Sequence, residues 1–163
     1  MRGHIMNSVS CNNANLPKDN KNKKILLTSI SSDSHTWNLV FMQLLLEFYG
    51  YEVMNLGACV PDELVLSTLK SGDYDAVVVS TVNGHGHIDG MRLIDKVRSD
   101  KSLKDIPVII GGKLGVSGKN NYLYVDELHN HGFNAVYVDD VNAHEFLAYL
   151  GSIKSPRTIK YGA

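Results

Sequence analysis

The feature that most constrains this chain is an alternation. From residue 24 onward, short apolar runs alternate with longer segments of helical pattern, five times in succession. The third run, Asp75-Ala76-Val77-Val78-Val79-Ser80, is apolar almost throughout. Strands buried on both faces of a parallel sheet read this way. The other runs are Ile25 to Ile30, Tyr51 to Leu56, Ile106 to Ile110 and Ala135 to Val138. Pro107 falls at the start of its run, where a missing N–H costs least.

The intervening segments have helix signals at their ends. The first spans Asn38 to Tyr49 and stops at Gly50; its apolar residues nearly encircle it, which predicts a well-buried helix. The second opens on Pro61-Asp62-Glu63, suited to a first turn and its dipole, and ends near Gly72. The others are Ile88 to Ser99, Tyr122 to His131 with Gly132 as its stop, and Ala143 to Leu150. Strand–helix alternation calls for a parallel sheet with right-handed crossovers and helices on both faces. The expected fold is therefore α/β and flavodoxin-like (Rossmann-like): five strands in the order 2-1-3-4-5, with a ligand crevice at the switch between strands 1 and 3.

This domain is expected over residues 24–151. Residues 1–23 form a polar, asparagine-rich leader, read as mobile, whose opening Met1-Arg2-Gly3-His4-Ile5-Met6 has the look of a cloning remnant. Residues 152–163 form a polar tail. A formal net charge of -1 offers no basic excess for nucleic acid or an acidic membrane surface. No apolar run approaches a membrane span. Cys11 and Cys59 are too few and scattered for a disulfide framework, which suits a reducing cytoplasm.

Three loops should share the carboxyl edge of the sheet, where such folds bind ligands. The first, Ser31-Ser32-Asp33-Ser34-His35-Thr36-Trp37-Asn38, carries Asp33 and His35. An imidazole can bind a metal through one ring nitrogen while the other donates to a carboxylate. A helix-start loop with a surface histidine is the alternative reading. The loop after strand 3 runs from Ser80-Thr81-Val82 through Gly84 to His87, and the loop after strand 4 is Gly111-Gly112-Lys113-Leu114-Gly115-Val116-Ser117-Gly118. Glycine permits close backbone approach to a ligand, and equally simple turns. Neither a Gly-x-Gly-x-x-Gly after strand 1 nor a Gly-Lys-Ser/Thr loop is present, which disfavours a nucleotide in the usual position. Ser80 stands where a phosphoacceptor aspartate would be needed. His85 and His87 with Asp89 lack further ligands for zinc and more simply face solvent or a partner.

In order, Asp33-Ser34-His35-Thr36-Trp37-Asn38, Ser80-Thr81-Val82 and Gly111-Gly112 resemble the cobalamin-binding signature Asp-x-His-x-x-Gly, Ser-x-Leu, Gly-Gly. The resemblance covers about residues 24 to 151 and is nearest to the small subunit of glutamate mutase (methylaspartate mutase). Val79 to Asp89, Gly111 to Lys119 and His131 to Tyr137 look like that subunit's own segments. It implies that His35 is the lower ligand of cobalt and that Asp33 holds its other nitrogen. It implies that the cofactor's displaced nucleotide tail enters a pocket beside Ser80, Val82, Gly111, Gly112 and the backbone from Lys113 to Ser117. Ser32, Ser34 and Thr36 would hydrogen-bond the corrin or the tail. Asn38, in place of the motif glycine, would tolerate a positive φ or cap the first helix. Thr81, Gly84, Leu114, Gly115 and Val116 complete the implied cofactor-binding set. Trp37 would pack under the corrin or anchor the loop on the core.

The activity implied is an adenosylcobalamin-dependent carbon-skeleton mutase, glutamate to 3-methylaspartate, acting with a larger barrel subunit. The alternatives are a corrinoid methyl carrier and a non-catalytic cobalamin-binding module. Residues 31 to 49 are expected to be the least stable part without cofactor, because Asp33 and His35 would lack a partner.

Overall fold

The computed structural model describes residues 23–116, 123–138 and 143–154. Its ten elements alternate as expected: β1 (Lys24–Thr28), α1 (Trp37–Phe48), β2 (Glu52–Asn55), α2 (Asp62–Ser71), β3 (Ala76–Thr81), α3 (Gly86–Ser99), β4 (Val108–Gly112), α4 (Leu123–His131), β5 (Ala135–Val138) and α5 (Ala143–Ser152). All the strand pairs are parallel, in the order β2-β1-β3-β4-β5. This is the flavodoxin-like order expected from the sequence. No helix among the described residues is long and apolar enough to cross a membrane.

Side chains alternate across the strands, as the pleat requires. Leu26, Val77, Val79, Val108 and Ile110 face one core with Val65 and Leu69 of α2, Leu93, Ile94 and Val97 of α3, and Leu128 of α4. Ile25, Leu27, Ala76, Val78 and Ile109 face the other with Leu39 and Leu46 of α1 and Phe146, Leu147 and Leu150 of α5. Three helices therefore cover one face of the sheet and two cover the other. That asymmetry positions the site.

The sequence placed four details differently. Val108 begins β4, two residues after the expected Ile106, because Pro107 has no N–H and the Val108 N–H is taken by Asn134 Oδ1 at 2.8 Å. The strand then runs on through Gly111 and Gly112, which pair with Ser80 and Thr81 rather than forming a loop. Helix α3 starts at Gly86, so Gly86 and His87 belong to its first turn. Helix α1 is not well buried. Only Asn38, Leu39 and Leu46 are buried, while Trp37, Val40, Phe41, Leu44 and Phe48 are exposed. It touches the sheet along a narrow face, so an apolar surface that nearly encircles a helix did not mean burial all round.

Gly112 is the position where the backbone most needs glycine. Its φ is +111°, and a Cβ there would lie 2.0 Å from the carbonyl oxygen of Thr81. Gly57 also has a positive φ, +86°, but open space around it. Gly112→Ala should therefore cost at least about 3 kcal/mol or prevent folding. Gly57→Ala should cost only about 1 kcal/mol, the strain of a left-handed backbone alone. Thermal or denaturant unfolding of the two variants checks the contrast.

Candidate functional site

The loop after β1 carries the buried carboxylate on which the site is built. Asp33 is fully buried. Its Oδ1 accepts from the His35 backbone N–H at 3.0 Å and from the His35 ring Nδ1 at 2.7 Å. Its Oδ2 accepts from Thr81 Oγ1 and from the Val82 N–H, both at 2.7 Å. The Asp33 backbone donates to the Ile30 carbonyl and accepts from the Cys59 N–H. Burial alone would raise the Asp33 carboxyl, but these donors outweigh it and hold the group below its ordinary value. Asp33 thus has partners before any cofactor arrives, which removes the reason for expecting this loop to be the least stable region.

An ionised carboxylate cannot donate, so in the neutral imidazole the hydrogen lies on Nδ1. Nε2 then keeps its lone pair. The His35 side chain is about half exposed, and no hydrogen bond or ion pair of Nε2 is found among the described residues. The carboxyl edge therefore presents a histidine whose tautomer and orientation are fixed from behind, with its outer nitrogen open to a metal.

Charged groups brace the rest of the loop. The Arg92 guanidinium grips Asp62 through Nε and Nη2, at 2.7 and 3.2 Å, and donates to Ser31 Oγ at 2.8 Å. Nη1 of the same arginine pairs with Asp89, which also accepts from Ser32 Oγ. Asn83 Nδ2 donates to Ser32 Oγ at 3.1 Å. The loop after β1, the start of α2 and the first half of α3 are joined through these side chains.

On the two-helix face, the gap between α1 and α5 forms a cavity of about 680 Å³, within the range of small-molecule sites. Asn38, Phe41, Met42 and Leu45 line it from α1, Val78 to Ser80 from β3, and Ile109, Gly111 and Gly112 from β4. Tyr137, Ala143 and Phe146 close the far side. Burial pushes the Tyr137 phenol up from its ordinary value. Trp37, two residues after His35, lines the cavity while remaining 64% exposed. It does not anchor the loop on the core.

Of the residues singled out in the sequence, the cavity brings together Asn38, Ser80, Val82, Gly111, Gly112 and Lys113. Thr81 lies behind Asp33 and is fully buried. Leu114 belongs to the three-helix core, away from the cavity. Gly84 sits against Val116 and Gly115, beyond the lining. Ser34 and Thr36 are exposed, and the Ser32 hydroxyl is engaged by Asp89 and Asn83. Asn38 neither caps α1 nor has a positive φ: Thr36 holds the cap position, and Asn38 sits inside the first turn. Ser117, Gly118, Lys119 and the loop from Asp139 to Asn142 lie outside the described residues, as do residues 1–22 of the leader and the tail from residue 155.

No group of three or more metal-ligating side chains occurs among the described residues. His87 pairs with Glu127 and stacks on Tyr124 instead. His131 pairs with Asp95, and His129 contacts the Phe133 carbonyl. The sequence reading missed the walls that α1 and α5 contribute, Phe41, Met42, Leu45, Ala143 and Phe146, together with Tyr137. The signal for α1 was present: it has more apolar residues than one core-facing stripe needs.

The family model "B12 binding domain" matches residues 23–128. The glutamate mutase sigma subunit of Fusobacterium nucleatum is 31% identical over 115 residues, 71% of this chain and 84% of the relative. That of Treponema denticola is 33% identical over 118 residues, 70% and 81% of the two chains. Among solved structures, a cobalamin-binding protein from Desulfitobacterium hafniense superposes with a TM-score of 0.64 at 23% identity. The match covers 80% of this chain and 58% of that one, and shows the likeness of fold.

The Asp33–Thr81 contact gives a direct test of the bracing. Thr81→Val keeps the shape and removes the hydroxyl donor, which should cost about 1–3 kcal/mol at neutral pH. The depressed Asp33 carboxyl contributes stability fully above its unfolded value, about 3.9, and loses it as the pH falls through the folded value. The variant depresses that value less, so the stability gap to wild type should narrow on acidification below about pH 4. Denaturant unfolding at a series of pH values checks both the gap and its direction.

Proposed function

Because the chain belongs to the B12 binding domain family, we propose that it is the cobalamin-carrying small subunit of an adenosylcobalamin-dependent carbon-skeleton mutase, glutamate mutase-like and acting with a larger barrel subunit. The observation that carries this reading is the Asp33–His35 pair at the rim beside the α1/α5 cavity. The residues present fit the cofactor. His35 offers one free ring nitrogen to cobalt, and Asp33 fixes the tautomer and raises the basicity of the ring. The cavity offers an apolar slot in which the nucleotide tail, displaced from cobalt by the histidine, can be held away from water.

When bound, the cofactor supplies a weak cobalt–carbon bond and with it radical chemistry, which no side chain can supply. What this chain contributes is position. Thr81 and the Val82 N–H hold Asp33, Asp33 holds His35, and the Arg92 cluster holds the loop that carries both. Lys113 and Trp37 flank the cavity. The described residues form a floor on this side and no second wall that would enclose a substrate above the rim. A larger subunit would supply that wall, and the chain alone would bind the cofactor without turnover. The relatives named glutamate mutase sigma subunit support glutamate as substrate; 3-methylaspartate as product is what the resemblance in the sequence implies.

Visible absorption of the purified chain with hydroxo- or adenosylcobalamin tests the reading. The wild type should give a spectrum with the lower base displaced and histidine bound, and His35→Ala should not. Asp33→Asn should retain the spectrum and weaken binding by about 10- to 100-fold, the usual cost of removing the carboxylate behind a metal-bound histidine. A wild-type chain that leaves both corrinoid spectra unchanged would overturn the assignment.

A further inference from the structure

We propose that the outward face of α1 is a dimer interface whose occupant is a second copy of this chain, the two α1 helices packing antiparallel about a twofold axis. This does not depend on what the cavity or the rim binds.

Helix α1 is apolar on two opposite sides. Leu39 and Leu46 face the core and are buried. Trp37, Val40, Phe41, Leu44 and Phe48 lie on the far side, 53 to 78% exposed. Trp37, Phe41, Leu44 and Phe48 are spaced four, three and four residues apart, which sets them in one line along the helix. That spacing is the seam of a two-stranded coiled coil, and it calls for another helix. The cavity does not account for the seam. Val40, Leu44 and Phe48 take no part in its lining, so a ligand there leaves them in water. Gln43 and Glu47 border the seam on the side of β2, where Gln43 donates to Glu47 at 2.8 Å and accepts from Asn55 at 3.0 Å. An apolar centre with a polar border is the anatomy of a protein interface.

Area and symmetry select the occupant. The five side chains together expose about 600 Å², the upper end of what a monomer shows in its largest apolar patch. Two copies face to face cover about 1,200 Å², where stable specific interfaces begin. The seam is also symmetric about its own midpoint, between Met42 and Gln43. In an antiparallel pair Trp37 meets Phe48 of the second copy and Phe41 meets Leu44 of the second copy, and the twofold axis repeats both contacts. A face that matches itself is what an isologous contact requires. Glu47 is the only charged residue of α1, and antiparallel packing sends its two copies to opposite ends of the contact. The same packing opposes the two helix dipoles. His35 lies two residues before α1, so the two rims point away from each other and each stays open.

Sedimentation of the purified full chain over a concentration series is the test. Wild type should pass from one chain mass to two as concentration rises through the micromolar range, the weak end for an interface near the lower limit of area. Trp37 is the one tryptophan of the chain, so its emission reports the seam and should shift to the blue in step with the mass. Leu44→Lys and Phe48→Lys change exposed positions off the cavity. Each should weaken association by about tenfold or more, with the circular dichroism of the wild type retained. Leu64→Lys, at an exposed leucine of α2, should associate as the wild type does. A wild type that stays a monomer at the highest attainable concentration would overturn the proposal. Shielded Trp37 emission in that monomer would give the face to the chain's own leader or tail, and exposed emission would leave it to a different protein. A dimer that both α1 variants keep would overturn it too, because that dimer uses another face. None of these outcomes bears on the corrinoid reading, which the absorption spectrum tests separately.

Discussion

The site depends on one buried carboxylate. Asp33 has no exposure to water, and a carboxylate in that position is tolerable only when donors surround it. It receives them from its own loop, from the end of β3 and from His35, and its backbone ties the loop after β2. The same contacts that make the charge tolerable also locate it. A group held from three segments cannot drift, so the histidine that leans on it cannot drift either. Metal ligation needs a ring fixed in tautomer and direction, and here the fixing carboxylate lies in the core and the histidine at the surface.

The cavity follows from the second constraint, the unequal cover of the sheet. Two helices over one face of five strands leave a slot that three would have filled. In a fold with no ligand to receive, such a slot would be a packing defect and a loss of stability. Here its walls are continuous with the rim: Ser80 and Gly111 are paired across β3 and β4, and both line the slot. The glycines matter as strand residues. A side chain at Gly112 would collide with the backbone of β3, so the close approach of the two strands and the shape of the slot have one cause.

The fold was legible because it rests on periodicity, and five apolar runs between helical segments admit few topologies. The Asp33–His35 pair was legible because the two residues are chemically distinctive and close in sequence. What could not be read depended on tertiary contacts. Thr81 and Arg92 act through space, from β3 and α3, and nothing local marks them as partners of the first loop. Glycine in a loop and glycine at a strand end read alike, so Gly111 and Gly112 were assigned to the wrong element. Asn38 was weighed as a cap or a left-handed residue, which are local roles. Its role is to span α1 and β3, and only the packing of the two shows it. Helix α1 shows the same limit: its apolar content was plain, but whether it faced a core, a cavity or solvent was not.

Site and cavity use different physics for different needs. The rim is polar, with charged groups that brace one another. Arg92 alone joins Asp62, Asp89 and Ser31. Hydrogen bonds and ion pairs are directional, and direction is what a metal ligand requires. The cavity is mainly apolar, and apolar contact is tolerant of direction but excludes water. A long tail needs exclusion and room more than angles. Asn38 and Ser80 stand where the two regimes meet: a directional pair on an apolar wall, bridging the helix to the sheet. A ligand anchored at the rim by its metal and along the slot by its tail would be gripped at two points whose separation the rigid β3–β4 pair sets. Each point then need bind only moderately, since fixing one raises the effective concentration of the other.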